Sequence, residues 1–533
     1  MPNWLDDASA NRHIKTYVKD FLDLSGNFTV RNNPEEYAWK EYGQLHMGKY
    51  STANSDNGYF GNGLAMDASG TTIVIGANQE GNSQESLGGN AYVMKYDESA
   101  EIWYQIGQTI IGGKNDCLFP GLSGDGTRLA VGDYGYSSNT GRVLAYDYNS
   151  GTNTWDQIGG STDMVNVVAG TAMDYLKISR DGTTIIVGGS GNNPDNARAY
   201  RYNSSSNTWT LIGDFQQSAI TEVSDTNKGF AGFTGDISYD GNRVILSEHG
   251  HDYDADGNAK NDIGRVFVFD YSGSGTTWNL VGDILYPTRY SNSDQFGFGC
   301  DMNNDGTVIA VNAQNKESYT RKDDNSYADT GSVSVYQYDA TVSGSWRELG
   351  QTLYGKDIND EFGYFSLCLS DDGYTLIVGS RANDRAGIDS GYIQKYVYNS
   401  SKNRWIQEGE DVYGKYNASN MQRTVCNYDA TIFVACEVVA SINDYNQGAV
   451  QVYKWMPKVK DEFKLDISGG ALTVSGGDEK TNALKCSSTQ LGRVFKGDRY
   501  RDYFGISVTM SGNGMVMAGG ARNSQYAGFA KVY

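Results

Sequence analysis

A short segment recurs along the whole chain and limits what the chain can become. It reads DGTRLAVG at 125–132, DGTTIIVGG at 181–189, DGNRVIL at 240–246, DGTVIAVNA at 305–313 and DGYTLIVGS at 372–380. Looser copies stand at 68–77, 429–436 and 513–520. Each joins a turn signal, Asp-Gly or its equivalent, to an apolar β-run that closes in small residues. About eight copies, spaced roughly 55–65 residues apart, define a repeat architecture in which one supersecondary unit is stacked on the next.

One full repeat resolves into four strands. In 57–113, strand A covers 59–66 and strand B covers 71–77, after the turn. Strand C covers 89–96 and strand D covers 103–111. Strand C recurs at 141–148, 197–202, 264–271, 331–338, 391–398, 448–455 and 528–533. Strand D recurs, each time opening on Trp, at 155–159, 209–213, 278–282, 346–350 and 405–409. Aromatics at fixed offsets within four-stranded units are how the blades of a β-propeller pack on one another, so the expected fold is an all-β propeller of four-stranded blades. With 66 Gly, 39 Tyr and only 6 Pro in 533 residues, the composition suits many short strands joined by tight turns.

The ends of the chain decide how such a ring closes. The segment WKEYGQL at 39–45 matches the strands D at 103–110 and 346–353, yet no repeat precedes it. After residue 455 the pattern breaks; 456–486 carries FKLDISG and LTV, which resemble the leader hairpin at 21–30. A further strand D at 491–498 and strands A, B and C follow to the end. Eight blades are therefore favoured, the orphan strand D completing the last A–B–C set so that no sheet edge stays open. Seven blades ending at 455 plus a C-terminal appendage is the alternative. The expected divisions are an N-terminal arm and hairpin at 1–36, blades 1–7 at 37–455, an insertion at 456–486 and the last blade strands at 487–533.

Residues 1–36 have a separate character. Ile14, Tyr17, Val18, Phe21 and Leu22 fall at helical spacing and form an apolar stripe, read either as a helix packed on the same protein or as a docking segment for a partner.

A net charge of −21 excludes a basic nucleic-acid footprint and disfavours anionic membranes. No signal peptide opens the sequence and no apolar run reaches the length of a membrane span. The six cysteines include no CxxC pair; Cys117, Cys300, Cys368, Cys426, Cys436 and Cys486 are expected as free thiols, mostly buried, in keeping with a reducing compartment.

Chemistry-bearing patterns are few. Asp252, Asp254, Asp256 and Asn258, with Gly257 as the turn, alternate as hard-cation ligands do, and Asp262 stands where the loop could return to close the set. Lys260 and Ile263 occupy positions that a complete EF-hand loop gives to ligands. Calcium that stiffens the loop is the expectation there, with a solvated acidic loop as the alternative. The four histidines and the absence of a nucleophile motif give no zinc set or catalytic triad, and no enzymatic activity is expected.

Two resemblances add to this. Phe-Gly at 60–61, 296–297, 362–363 and 504–505, each ahead of the turn and apolar run, resembles the FG-GAP repeats of integrin α-subunit propellers. That family often carries calcium at the A–B turn; the nearest match here is Asp301, Asn303 and Asp305, with Ile309 in the last acidic position. The opening NRHIKTYVKDFLDLSGN at 11–27 is similar to the leader of structural proteins from large DNA viruses of algae. The resemblance implies a virion protein assembled in a host cytoplasm with capsid or other virion proteins as partners. A calcium-stiffened adhesin or lectin-like module for a host glycan or protein is the alternative function.

Overall fold

The computed structural model describes residues 37–48, 60–77, 88–114, 118–133, 136, 141–165, 173, 175–189, 196–216, 231–287, 293–315, 317–318, 328–341, 345–415, 420–437, 441–442, 445–446 and 448–457. It also describes short strands at 27–29, 464–466, 473–475, 507–510, 517–521 and 529–532. The stripe from Ile14 to Leu22, and Cys117, Cys486 and the strand expected at 491–498, lie outside these residues.

The chain divides into two compact units, Trp39–Trp455 and a second made of Met1–Ala38 with Met456–Tyr533. The larger is a propeller of seven four-stranded antiparallel blades. Blade 1 is Phe60–Met66, Thr72–Ala77, Gly88–Asp97 and Ile102–Gln105, and blade 2 is Leu118–Leu122, Arg128–Asp133, Arg142–Asn149 and Thr154–Ile158. Blade 3 is Tyr175–Ile178, Thr184–Gly188, Asn196–Asn203 and Thr208–Gln216. Blade 4 is Ala231–Ile237, Arg243–Glu248, Arg265–Tyr271 and Trp278–Leu280. Blade 5 is Phe296–Met302, Val308–Ala313, Ser332–Asp339 and Ser345–Glu348, and blade 6 is Phe362–Leu369, Thr375–Ser380, Tyr392–Asn399 and Arg404–Gln407. Blade 7 takes Met421–Cys426, Ile432–Glu437 and Ala449–Pro457, and its fourth strand is Tyr37–Glu41 from the other end of the chain.

That last pairing corrects the preference for eight blades. The orphan strand D does close the ring, but onto the seventh repeat; His46 and Met47 extend the closure by pairing with Val450 and Ala449. In the second unit, Ser507–Met510, Met517–Ala521 and Phe529–Val532 form their own three-stranded antiparallel sheet, strands A, B and C of the last repeat. The resemblance between the leader and 456–486 has a structural counterpart: Asn27–Thr29 pairs antiparallel with Lys464–Asp466, which pairs in turn with Thr473–Ser475.

The repeating residues earn their places in three ways. First, the Asp of each A–B turn caps it. Asp125 accepts from the Thr127 N–H and the Ser123 hydroxyl, and Gly126 takes φ +71°. The turns also bond to one another in a closed circle. Ala68 N–H donates to Gly124 O, Gly124 to Arg180 O, Asp181 to Tyr239 O, Tyr239 to Asn304 O, Asn304 to Asp371 O, Asp371 to Tyr428 O and Tyr428 back to Ala68 O, at 2.7–3.1 Å. Second, Phe-Gly bulges strand A against the preceding blade. Gly297, at φ +91°, leaves no room for a Cβ, which would meet Ser247 and Val266 of blade 4 at 2.8 and 2.9 Å.

Third, the strand-D Trp reaches back one blade. The indole N–H groups of Trp103, Trp155, Trp278, Trp346 and Trp405 donate to the carbonyls of Tyr42, Ile106, Ile212, Val281 and Leu349, at 2.7–3.2 Å. A Gly-Gln pair follows three of those carbonyl residues: the Gly lies flat under the ring, and the Gln side chain clasps the Trp backbone, as Gln351 does for Trp405. Tyr42, Gly43 and Gln44 offer the same pocket to Trp103. Between blades the strands B are buried, apart from the half-buried first residues Arg128, Arg243 and Thr375; Ile73 and Ile75 pack with Ile432, Val434, Val450 and Val452 across the joint of first and last blades. Each such side chain contributes about 1.5–3 kcal/mol of burial.

Candidate functional site

The seven strands A line an axial channel, and four of its chemistry-bearing side chains come from one recurring position, two residues before the Ser or Asn that opens the A–B turn. That position holds Lys177 in blade 3, Asp236 in blade 4, Asp301 in blade 5 and Cys368 in blade 6. Lys177 Nζ lies 3.4 Å from Asp236 Oδ1 and 3.6 Å from Asp301 Oδ1, and its side chain is 40 % exposed, to the channel. Each carboxylate also hooks the next blade: Asp236 Oδ2 accepts from Met302 N–H at 3.0 Å, and Asp301 Oδ2 from Leu369 N–H at 2.7 Å. Burial and the neighbouring Asp236 push the Asp301 carboxyl well up. Burial alone would lower the Lys177 ammonium, but the two aspartates outweigh it and hold the charge in place.

At the next joint a covalent bond replaces the hook. Cys368 Sγ is bonded to Cys426 Sγ of blade 7 (S–S 2.06 Å, Cα–Cα 6.1 Å). This corrects the expectation of free thiols for these two residues, while Cys300 and Cys436 are free and buried. Sequence spacing hid the pair because its partners are 58 residues apart and meet only through stacking of successive repeats. Across the A–B end of the channel, Arg180 of blade 3 pairs with Asp371 of blade 6 at 2.5 Å.

The loop proposed to bind calcium joins strands B and C of blade 4. Its aspartates serve the loop's own backbone. Asp254, buried, accepts on Oδ1 from the N–H groups of Asn258 (2.8 Å) and Asp256 (3.1 Å) and from the Asn258 side chain. Asp252 accepts from Asp262 N–H at 2.9 Å, and a Tyr253–Ala259 bridge closes the turn. Asp256 and Asn258 are exposed. Among the described residues no three His, Cys, Asp or Glu side chains are gathered as a metal set. Alternating aspartates before Gly here act as turn caps, a role that leaves the same sequence trace.

Asp301, Asn303 and Asp305 likewise diverge. Asp301 faces the channel, Asn303 accepts from Val308 N–H and Asp305 from Thr307. Beside the blade 4 loop, Glu248 and Arg265 form a buried ion pair, with His251 Nδ1 3.7 Å from Glu248. Burial holds the imidazole of His249 at about 4; burial and then the Arg265 charge hold that of His251 at about 3, so both stay neutral.

No family model matches the chain, and no curated protein matches its sequence. Similar solved structures include Kuenenia stuttgartiensis hydrazine synthase, at 14% identity and TM-score 0.45 over 77% of this chain and 100% of that one. Oligogalacturonate lyase of Vibrio parahaemolyticus shows 10% identity and TM-score 0.45 over 80% and 96%. Periplasmic gluconolactonase of Pseudomonas aeruginosa shows 16% and 0.40 over 66% and 85%. Likeness at this level carries no activity from any of them to this chain.

One site was missed at the sequence level. Asp360, two residues before the Phe-Gly of blade 6 and fully buried, accepts from the N–H groups of Lys356 and Asp357, from Asn383 Nδ2 and from the Tyr392 hydroxyl. It ties the loop entering blade 6 to that blade's B–C loop, and the tied loops display Ile358 and Ile388, the latter 68% exposed. A signal existed: Asp also stands two residues before Phe-Gly at 294 and 502.

Proposed function

We propose that this propeller is a non-enzymatic interaction scaffold. The observation that carries this reading is the commitment of the axial carboxylates, Asp236 and Asp301, to backbone N–H groups of the neighbouring blades. Carboxylates used this way join blades, a structural use that supports the scaffold reading. The loops pinned by Asp360 present Ile358 and Ile388 on a rigid base, the arrangement a docking face needs. The setting we propose is the particle of a large DNA virus, with capsid or other virion proteins as partners, on the strength of the sequence at 11–27. Quantitative mass spectrometry of purified particles from the source infection tests it. A fixed copy ratio to the capsid protein is expected; absence from particles ends the virion reading.

A second reading, a calcium-stiffened adhesin, draws on one observation. The Asp262 carboxyl is pushed up by burial and by the charge of Asp252, a repulsion that a bound cation would relieve. Millimolar calcium should then raise the unfolding temperature, and Asp252→Asn should cancel the rise. An unchanged unfolding temperature discards this reading.

A further inference from the structure

We propose that Lys177 of blade 3 and Asp236 of blade 4 become joined by an amide bond between Nζ and Cγ, formed once by the folded protein with loss of water. The residues that carry this modification site are brought together by the ring itself. Strands A of successive blades stand side by side around the channel, so the position two residues before each A–B turn meets its counterpart in the next blade. In blades 3, 4 and 5 that position gathers one amine and two carboxyls, Lys177, Asp236 and Asp301, whereas blades 1, 2 and 7 place Ala65, Gly121 and Val425 there.

Lys177 Nζ lies 3.4 Å from Asp236 Oδ1 and 3.6 Å from Asp301 Oδ1, and the two carboxylate side chains are only 12% and 11% exposed. Lys395 and Lys415, by contrast, pair with Glu408 and Glu41, which are 48% and 55% exposed and open to competing water. Lys356 pairs with Asp411 alone, with no second carboxylate to carry a proton. An amine and a carboxyl held in reacting geometry reach effective concentrations of about 10⁵–10⁸ M, enough to favour condensation where free solutes would not condense.

The two oxygens of Asp236 have different settings. Oδ2 accepts from Met302 N–H at 3.0 Å, a donor that polarises the carbonyl and would stabilise a developing oxyanion. Oδ1 faces Lys177 and is the oxygen placed to leave. Asp301 is anchored in the same way, through Oδ2 by Leu369 N–H at 2.7 Å, and turns Oδ1 to Lys177. Burial and the neighbouring Asp236 push the Asp301 carboxyl well up, so it holds a proton to give.

The step balances within these three residues. The ammonium passes one proton to Asp236 Oδ1, and the free amine attacks Cγ. As the Cγ–Oδ1 bond breaks, Asp301 gives its proton to the departing hydroxyl and takes one from the nitrogen, ending as it began. One water leaves into the channel, whose cavity here is about 160 Å³. A buried ion pair is exchanged for a neutral amide, which removes the cost of keeping both charges from water. Because the aspartates favour the ammonium, the free amine is scarce and the bond forms slowly. The same ring position already carries a covalent joint between blades 6 and 7, through Cys368.

Mass spectrometry of the purified full chain, denatured and reduced after overnight incubation in neutral buffer, tests this. The chain is expected about 18 Da below its sequence mass, one water lost. Trypsin is expected to leave 143–180 uncut at Lys177 and joined to 229–243. Lys177→Arg keeps the charge but cannot condense, and should show its full sequence mass and separate peptides. Asp301→Asn can still accept from Leu369 N–H, and should slow the mass loss at least about a hundredfold. Should that variant not fold, the parent and Lys177→Arg masses decide. A full sequence mass in the parent, an unjoined 229–243, the same loss of water in Lys177→Arg, or an unslowed loss in folded Asp301→Asn would each overturn the proposal.

Discussion

Single side chains in this propeller act mostly across the joint between one blade and the next. Two buried tryptophans at equivalent positions separate the hydrogen bond from the packing. Trp405 donates to Leu349 O at 2.7 Å, whereas the indole N–H of Trp209 has no acceptor. Trp405→Phe should therefore destabilise the protein by about 1 kcal/mol more than Trp209→Phe, read from urea unfolding of both variants. The turn aspartates set the acid limit. Partial burial pushes the carboxyls of Asp125, Asp240 and Asp305 up, but hydrogen bonds from turn hydroxyls, amides and backbone N–H groups outweigh it and hold them below the ordinary value. Unfolding returns them to about 3.9, so their stabilisation is present above that pH and is lost as the pH falls through their lower folded values. Stability measured from pH 5 downward should decline below about pH 4, and the triple Asp→Asn variant should show a shallower decline.

At the scale of a strand or turn, the bulge at Phe-Gly is the feature most sensitive to change. Gly297→Ala meets both a left-handed φ and the side chains of blade 4, and should cost about 2–4 kcal/mol, seen as a lowered unfolding temperature. Gly273→Ala, at φ +88° with nothing within 4 Å of a new Cβ, isolates the backbone part and should cost about 1 kcal/mol. Turns and strands were readable beforehand because a local rule writes them. Asp-Gly marks the turn and Trp the opening of strand D, whereas the bulge at Phe-Gly shows only in the structure. Blade number was not readable in that way, since 39–45 matches any strand D and nothing local says which strand C it will join. The disulfide and the axial hooks escaped for the same reason: Lys177, Asp236, Asp301 and Cys368 share one repeat position but span three residue types. At Asp254 a ligand-like spacing coincides with a carboxylate that caps its own turn, so spacing alone does not tell the two roles apart.

For the molecule as a whole, the joints on either side of blade 7 matter most. Cys368–Cys426 ties blade 6 to blade 7 across 58 residues of sequence. Cys368→Ser should lower stability by about 4 kcal/mol on the chain-entropy account, and adding reductant to the parent protein before urea unfolding should reproduce the shift. The other joint, to blade 1, depends on blade 7 being completed by Tyr37–Glu41, paired within it with Ala449–Pro457. On a ribosome these partners are born far apart in time. Roughly four hundred residues must be polymerised between them, a wait of roughly 20–80 s at about 5–20 residues per second. Throughout that interval the earliest strand of the ring exists with no mate. A nascent chain released between Gln407 and Ala449 would carry six complete blades with raw flanks, ready to pair with a neighbour on the same polysome.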